Sequence, residues 1–425
     1  MLPELPREQI EKRYDDARSQ FRAIGVDTDK ALDTLSNVPI SLHCWQGDDV
    51  RGFEVHDSSV SGGGIMATGN YPGPATDATM LRQDAEKAMS LIPGKNRFNL
   101  HAIYAETNGK VVDRDQIGPE HFARWMDWSK KRNIPLDFNP TFFAHPKAND
   151  GYTLSHADAG IRRFWINHDK ACRRIAEAMG RNQGTPCVVN HWAPDGHKDQ
   201  PVDRKGPRQR LMQSLDDIFA ESIDPAFCKD AVECKLFGIG SEDYVVGSHE
   251  FYMGYALTRK IMLCLDMGHF HPTETIHDKI SSIFCFKNEL LLHVSRAIRW
   301  DSDHVVILND DIRNLFQQIV RGDYLSKTNI ALDFFDASIN RIGAWVVGTR
   351  AAKKGLLCAL LEPTAMLNDF ENNGDGAMKL AMLEELKTYP VGAVWDMFCL
   401  KYGMPAGSSW INSMTSYDRD VIRKR

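Results

Sequence analysis

Three features of the sequence predict an α/β fold, a (β/α)8 TIM barrel with an N-terminal helix and a C-terminal helical extension. Eight short β-rich runs alternate with helical patterns, which indicates βαβ units and a parallel sheet. Eight such repeats are the number that closes a barrel. No GxGxxG follows the first run, as an open doubly wound dinucleotide fold would require. With 425 residues, 43% hydrophobic and 25% charged, the chain has the composition of a globular protein with a sizeable core.

Leu5–Ile24 reads as an amphipathic leading helix stopped by Gly25. The strands are expected at Pro39–Trp45, Arg97–Tyr104, Pro135–Phe143, Pro186–Trp192, Val232–Phe237, Ile261–Phe270, Leu290–Ser295 and Asn329–Phe335. Helical patterns follow near Ala78–Leu91, Pro119–Arg132, Ala159–Met179, Pro207–Ser222, Glu250–Arg259, Thr273–Phe286, Asp311–Arg321 and Ile339–Leu361. Beyond Pro363 the chain is amphipathic and helical, with no strand pattern. The expected division is a helical segment 1–37, a barrel 38–362 and a helical extension 363–425. The segment His56–Thr76, rich in Gly, Ser and Pro, carries Ile65, Met66 and Tyr71 among its glycines and is expected to be a lid over the barrel mouth.

Charge and composition exclude several classes. The net charge of −6 lacks the basic field of a nucleic-acid binder. No run approaches the roughly 20 apolar residues that span a bilayer. The opening MLPELPREQIEKRYDD has no apolar run behind a basic start, so a cytoplasmic protein is expected. The nine cysteines show no CxxC and sit mostly in apolar runs, as reduced buried thiols do.

Candidate chemistry concentrates in the second half. Strand five (VECKLFGIG) places Glu233 and Lys235 two apart, and so on one strand face. Strand six (CLDMGHFHP) delivers Asp266, with His269 and His271 just after it. Strand seven (LLLHVS) carries His293 in an apolar background, and the loop RWDSDHV follows with Asp301 and Asp303. Strand eight (IALDFFDASIN) supplies Asp333; Asp336 reads as a helix N-cap, and His304 points away from Asp303. These positions lie at the C-terminal ends of strands, where barrel enzymes carry their catalytic groups. So many carboxylates converging on one mouth would repel one another unless a divalent cation neutralised them. Oxygen ligands with one or two imidazoles and no thiolate favour Mn2+, Mg2+ or Co2+. The first half adds His101, Trp45 and Trp192, an aromatic wall with donors that suits a sugar. Asp48 and Asp49 read as turn caps.

At these residues the sequence resembles the L-rhamnose isomerase family, metal-dependent aldose–ketose isomerases of the xylose-isomerase-like barrels. The resemblance runs through PISLHCWQGDDVRGFE, NLHAIY, LDFNP, GYTLSHAD, AVECKLFGIG, CLDMGHFHPTE, RWDSDHVV and LDFFDASINRIGAWVVGTR. It implies a first metal position at Glu233, Asp266, His293 and Asp333, and a second at His269, Asp301 and Asp303, with help from Asp266. It further implies Lys235 beside the substrate's C1 oxygen, His101 and Trp192 lining the sugar site, and a catalytic part for Lys235, Asp333 and His101. The activity implied is interconversion of L-rhamnose and L-rhamnulose by a 1,2-hydride shift, with a broader aldose range open. Two divalent ions per subunit are implied, Mn2+ first and Co2+, Mg2+ or Zn2+ as alternatives, without a nicotinamide. A small-molecule sugar partner and a homotetramer, with neither nucleic acid nor membrane, complete the expectation. The main departure is NHWAPDGHKD after strand four, where His191 and His197 flank Trp192 and would alter sugar preference or make a surface metal site. A metal-dependent phosphodiesterase on the same barrel would want a basic groove, and a non-catalytic sugar binder would have no need for seven convergent ligands.

Overall fold

A computed structural model of the chain describes residues 1–54, 67–238, 240–271, 273–298 and 303–425. Eight parallel strands form a closed barrel: β1 (Ile40–His43), β2 (Asn96–His101), β3 (Leu136–Asn139), β4 (Cys187–Trp192), β5 (Cys228–Glu233), β6 (Met262–Asp266), β7 (Leu290–Val294) and β8 (Thr328–Leu332). Each strand pairs with its sequence neighbours, and β1 closes against β8. The strands read as short apolar runs because a barrel strand is covered on both faces, by the helices outside and the packed interior within. The register sets the ends of β5 to β8 side by side, with Trp192 opposite Glu233 and Asp266 opposite His293.

All eight strands occur at the expected runs, but most are shorter. The apolar residues that continue past a strand's C-terminal end line the mouth of the barrel rather than pair, which periodicity alone does not distinguish. β5 differs most. It begins at Cys228 and ends at Glu233 instead of spanning Val232–Phe237. Its first half is masked in the sequence by Lys229 and Asp230, whose charges are met by Glu289 and, outside the barrel, by Arg173. Lys235 therefore lies beyond the strand, not on a strand face with Glu233, and its backbone N–H donates to Gly247 O at 3.1 Å.

Local signals set the helices. Asp158 accepts from the N–H groups of Gly160 and Ile161 to start the helix Ala159–Gln183, and Gly184 ends it in the left-handed region at φ +70°. Within that helix, a Cβ on Gly180 would stand 1.8 Å from Phe227 O, so only glycine lets the helix pack this close to the entry of β5. Beyond the single leading helix expected, Arg7–Ala23 is followed by a second, Thr28–Asn37, capped by Asp27. The chain ends meet outside the barrel, where Arg13 pairs with Asp396 at 3.1 Å and Leu2 N–H donates to Asn412 at 2.9 Å. A two-residue ribbon, Gly196–His197 with Tyr244–Val245, was not anticipated. Asp336 is not the cap of the last barrel helix, Arg341–Leu360; Asn340 is, accepting from Gly343 N–H, while Asp336 closes a turn with Ser338. Among the described residues no helix is long and apolar enough to cross a membrane. All nine cysteines are free, seven of them buried.

The NHWAPDGHKD segment also corrects an expectation. His191 is fully buried and faces out of the barrel, 2.9 Å from Asp169 and 3.0 Å from Asp230. Strand alternation explains it, since neighbours of an inward residue point outward. His197 is exposed and bonds Asp199 O at 2.7 Å. Burial alone would lower His191, but the flanking Asp169 and Asp230 outweigh it and raise the imidazole to about 9. Burial likewise works to raise Asp230, and the bonds and charges of His191 and Arg173 overcome it and hold the carboxyl at about 2. The imidazole's contribution to stability is thus complete below its ordinary value of 6.5 and is lost as pH rises through about 9. His191→Gln is expected to lower stability by up to about 3 kcal/mol at pH 5 to 6, with the deficit shrinking as pH rises from about 6.5 and gone above about 9. Denaturant titrations of both proteins across pH check this; a deficit independent of pH would contradict the charged imidazole.

Candidate active site

The C-terminal ends of β5 to β8 bring four side chains to one point. Ligand atoms of Glu233, Asp266, His293 and Asp333 all lie within 4.8 Å of one another. Each carboxylate holds one oxygen on a protein donor and turns the other inward. Glu233 Oε2 accepts from the Asn190 side-chain amide. Asp266 Oδ1 accepts from Gly268 N–H at 2.6 Å and from Ser295 Oγ at 3.1 Å. Asp333 Oδ1 accepts from Trp45 Nε1 at 3.0 Å. The remaining oxygens, Glu233 Oε1, Asp266 Oδ2 and Asp333 Oδ2, stand 3.1, 3.5 and 3.2 Å from the same nitrogen, His293 Nδ1.

One ring nitrogen donates a single hydrogen and cannot satisfy three carboxylates. Glu233 Oε1, Asp266 Oδ2 and both nitrogens of His293 are buried with no hydrogen-bond partner among the described residues. Such a set fits a divalent cation with oxygen and imidazole ligands better than it fits a hydrogen-bond network. The electrostatics agree. Burial would lower His293, yet the surrounding Cys264, Glu233, Asp266 and Asp333 raise it well above its ordinary value. Burial pushes the Asp266 carboxyl up against the pull of His269 and His293. It acts the same way on Asp333, where the adjacent His293 overcomes it and holds the carboxyl down. The field at this point draws positive charge.

A second group adjoins the first. Asp266, His269 and Asp303 also offer ligand atoms within 4.8 Å of one another, so Asp266 belongs to both groups. Gly268 makes room for it: a Cβ there would stand 2.3 Å from Asp303 Oδ1 and 3.2 Å from Asp266 Oδ1. Asp301, assigned to this position from the sequence, lies outside the described residues, as does 55–66, most of the glycine-rich segment. Its described remainder is fastened down: Arg341 donates to Tyr71 O at 2.9 Å and Pro72 O at 3.0 Å while paired with Asp49 at 2.6 Å. Asp48 accepts from Gly52 N–H at 2.7 Å and serves a turn as expected, whereas the Asp49 side chain is spent on Arg341 rather than on a cap.

Above these groups is a cavity of about 630 Å³ lined by Trp45, His101, Phe143, Trp192, Lys235, His269, Asp303 and Asp333, among others. Its rings make a continuous wall: Trp45 meets His101 edge-on at 4.8 Å, Phe143 meets Trp192 at 6.1 Å, and Trp192 stacks on His269 at 6.3 Å. Lys235 Nζ sits 5.7 Å from the Trp192 ring. His101 Nδ1 is 3.0 Å from Thr141 Oγ1, and burial lowers its pKa to about 3, so the ring is neutral. His304 lines the cavity too, but it joins neither ligand group. His271 bonds Thr273 in an exposed turn, away from both.

Sequence reasoning missed the donors that orient the acids. Trp45 appears there as wall or core, whereas it also holds Asp333. Asn190 and Ser295 were not singled out at all, because a polar residue within an apolar strand carries no periodic signal for what it faces.

The geometry can be compared with known proteins. A family model described as RhaA, L-rhamnose isomerase, matches residues 8–425. The L-rhamnose isomerase of Rhodopirellula baltica is 57% identical over 416 residues, covering 98% of this chain and 97% of that protein. Those of Salmonella typhi and Escherichia coli O157:H7 are each 55% identical over 417 residues, covering 98% of this chain and 99% of theirs. Identity at this level from one end of the chain to the other, and not any single motif, shows that the chain belongs to the L-rhamnose isomerase family.

Proposed function

We propose that the chain interconverts L-rhamnose and L-rhamnulose, as an aldose–ketose isomerase that uses two divalent ions, Mn2+ first among them. The observation that carries this reading is the set of three carboxylates, each with one oxygen fixed on a donor and the other turned toward His293 Nδ1. Glu233, Asp266, His293 and Asp333 would hold one ion; His269 and Asp303, with Asp266 shared and Asp301 added, would hold the other. When bound, such ions polarise a carbonyl and acidify an adjacent hydroxyl.

The chain's own residues supply the rest. Trp45, Phe143 and Trp192 line the cavity with apolar surface that displaces water from the sugar. Lys235 is assigned to the C1 oxygen, where its ammonium donates as negative charge develops. His101, neutral and anchored by Thr141, is assigned to the sugar hydroxyls and ring opening. Asp333, oriented by Trp45, keeps its second oxygen on the ligand side. In the transfer itself, hydride leaves C2 with its electron pair and bonds to C1, while the O2 proton passes to O1. C2 becomes the ketone carbon and no external oxidant or reductant is consumed. An enediol route would need a base at C2; the acids near it are all turned into the ligand groups. A cytoplasmic homotetramer, with a helical segment 1–37, a barrel 38–362 and an extension 363–425, is part of the same proposal.

The direct test is formation of rhamnulose from L-rhamnose by the purified chain, abolished by chelation and restored by Mn2+. Ion counting on the reloaded protein is expected to give about two Mn2+ per chain. Gly268→Ala should retain about one, since the added methyl meets Asp303 and Asp266 but leaves Glu233, His293 and Asp333 in place; unchanged stoichiometry would refute the second position. For the hydrogen, turnover in D2O is expected to leave almost no deuterium on C1 of the ketose. Heavy labelling there would establish a solvent-exchanging base in place of the hydride route.

A further inference from the structure

A second cavity, of about 590 Å³, opens at the opposite end of the barrel. Its rim is formed by the exposed Asn37, Pro39 and Ser326, at the N-terminal ends of β1 and β8, and it runs inward between the strands. The interior it enters is divided. Val188, Ala231, Met262, Cys264, Leu291 and Ala331 make an apolar layer on the side of β4 to β8. Ser41 and Arg97 close on the Asp137 carboxylate on the other side, at 2.6 and 2.7 Å. At its inner end the cavity reaches Asn190 and His293.

These two residues are left incomplete by the protein. His293 is 1% and Asn190 3% exposed, and His293 Nε2 and Asn190 Oδ1 have no hydrogen-bond partner among the described residues. With Nδ1 ligating the ion proposed above, the neutral ring carries its hydrogen on Nε2, and a ligating imidazole almost always donates that hydrogen to an acceptor. Cys264 lies close to His293 and Glu233, but its thiol sulphur is a weak acceptor. Asn190 spends its amide on Glu233 Oε2 and leaves its carbonyl oxygen over. A roomy cavity with unpartnered donors and acceptors and an open mouth holds water; cavities that stay dry are apolar.

We propose that the rear cavity is water-filled and that its ordered waters complete His293 Nε2 and Asn190 Oδ1, bracing the first metal position from beneath. One water accepts from Nε2 and fixes the ring's tautomer and tilt. Another donates to Asn190 Oδ1 and holds the amide that orients Glu233. Asn190 is then a positioning residue, and solvent reaches the ligands without crossing the sugar site. The inference rests on the metal reading proposed above.

Two measurements test it. A crystal structure of the Mn2+-loaded protein that resolves ordered waters should show one within about 3.2 Å of His293 Nε2 and one equally close to Asn190 Oδ1; a dry cavity overturns the proposal. Ala331, paired in register with His293, also lines the cavity, so Ala331→Leu fills the space the water needs. Calorimetric titration with Mn2+ should then show first-position affinity about 10-fold weaker, with the second position unchanged and Ala331→Ser behaving as wild type. Equal affinities for wild type and Ala331→Leu would overturn the rear-water role alone. A wild-type chain that bound no Mn2+ would instead remove the metal reading. If Ala331→Leu does not fold, Val188→Leu on the same cavity wall takes its place, and the wild-type water positions decide by themselves.

Discussion

Three carboxylate oxygens, two of them fully buried, around one imidazole nitrogen form the constraint on which the rest of the site depends. Their mutual repulsion in a low-dielectric interior is large, and one shared hydrogen cannot offset it. Two responses are built into the chain. Each acid has its outer oxygen fixed by a different donor: an amide, a hydroxyl with a backbone N–H, and an indole. The inner oxygens are left to a cation. Orientation by neutral donors keeps the acids in place without adding a competing positive charge.

The barrel is what makes such a concentration of charge affordable. Adjacent strands lie roughly 4.8 Å apart, so side chains from the ends of neighbouring strands fall within ligand distance without any strand bending. β5 to β8 contribute all the ligands, and the opposite arc supplies the wall of Trp45, His101, Phe143 and Trp192. Charge and apolar surface thus face each other across one cavity, which suits a polar sugar whose reacting carbons must be kept from water. Asp266, shared by both ligand groups, joins them into one unit, and Asp303 leaves Gly268 no room for a side chain.

Buried arginines hold the surrounding loops. Arg114 donates to Thr141 O, Phe143 O and Ala144 O at 2.9, 2.6 and 2.9 Å while paired with Glu54. That grip keeps Ala144 at φ +52°, a strained value for a residue with a side chain, and sets Phe143 on the cavity wall. Arg341 does the same for Tyr71 and Pro72 through Asp49. In both places a guanidinium, with its several fixed donors, gathers loop carbonyls that no strand could pair.

The alternation of β-rich and helical runs made the barrel legible in the sequence, because strand and helix periodicities depend only on local spacing. The ligand types were legible for the same reason: Glu233, Asp266, His293 and Asp333 stand out as polar residues at the ends of apolar runs. What each side chain faces was not. His191 sits beside Trp192 in sequence but points out to Asp169 and Asp230, since consecutive strand residues face opposite sides. Lys235 leaves the strand it was expected to share with Glu233, because charges at Lys229 and Asp230 hid where β5 begins. Trp45 reaches Asp333, and Asn190 reaches Glu233, across gaps of 288 and 43 residues. Such contacts arise only when the barrel closes, because closure, not local sequence, decides which strand ends become neighbours.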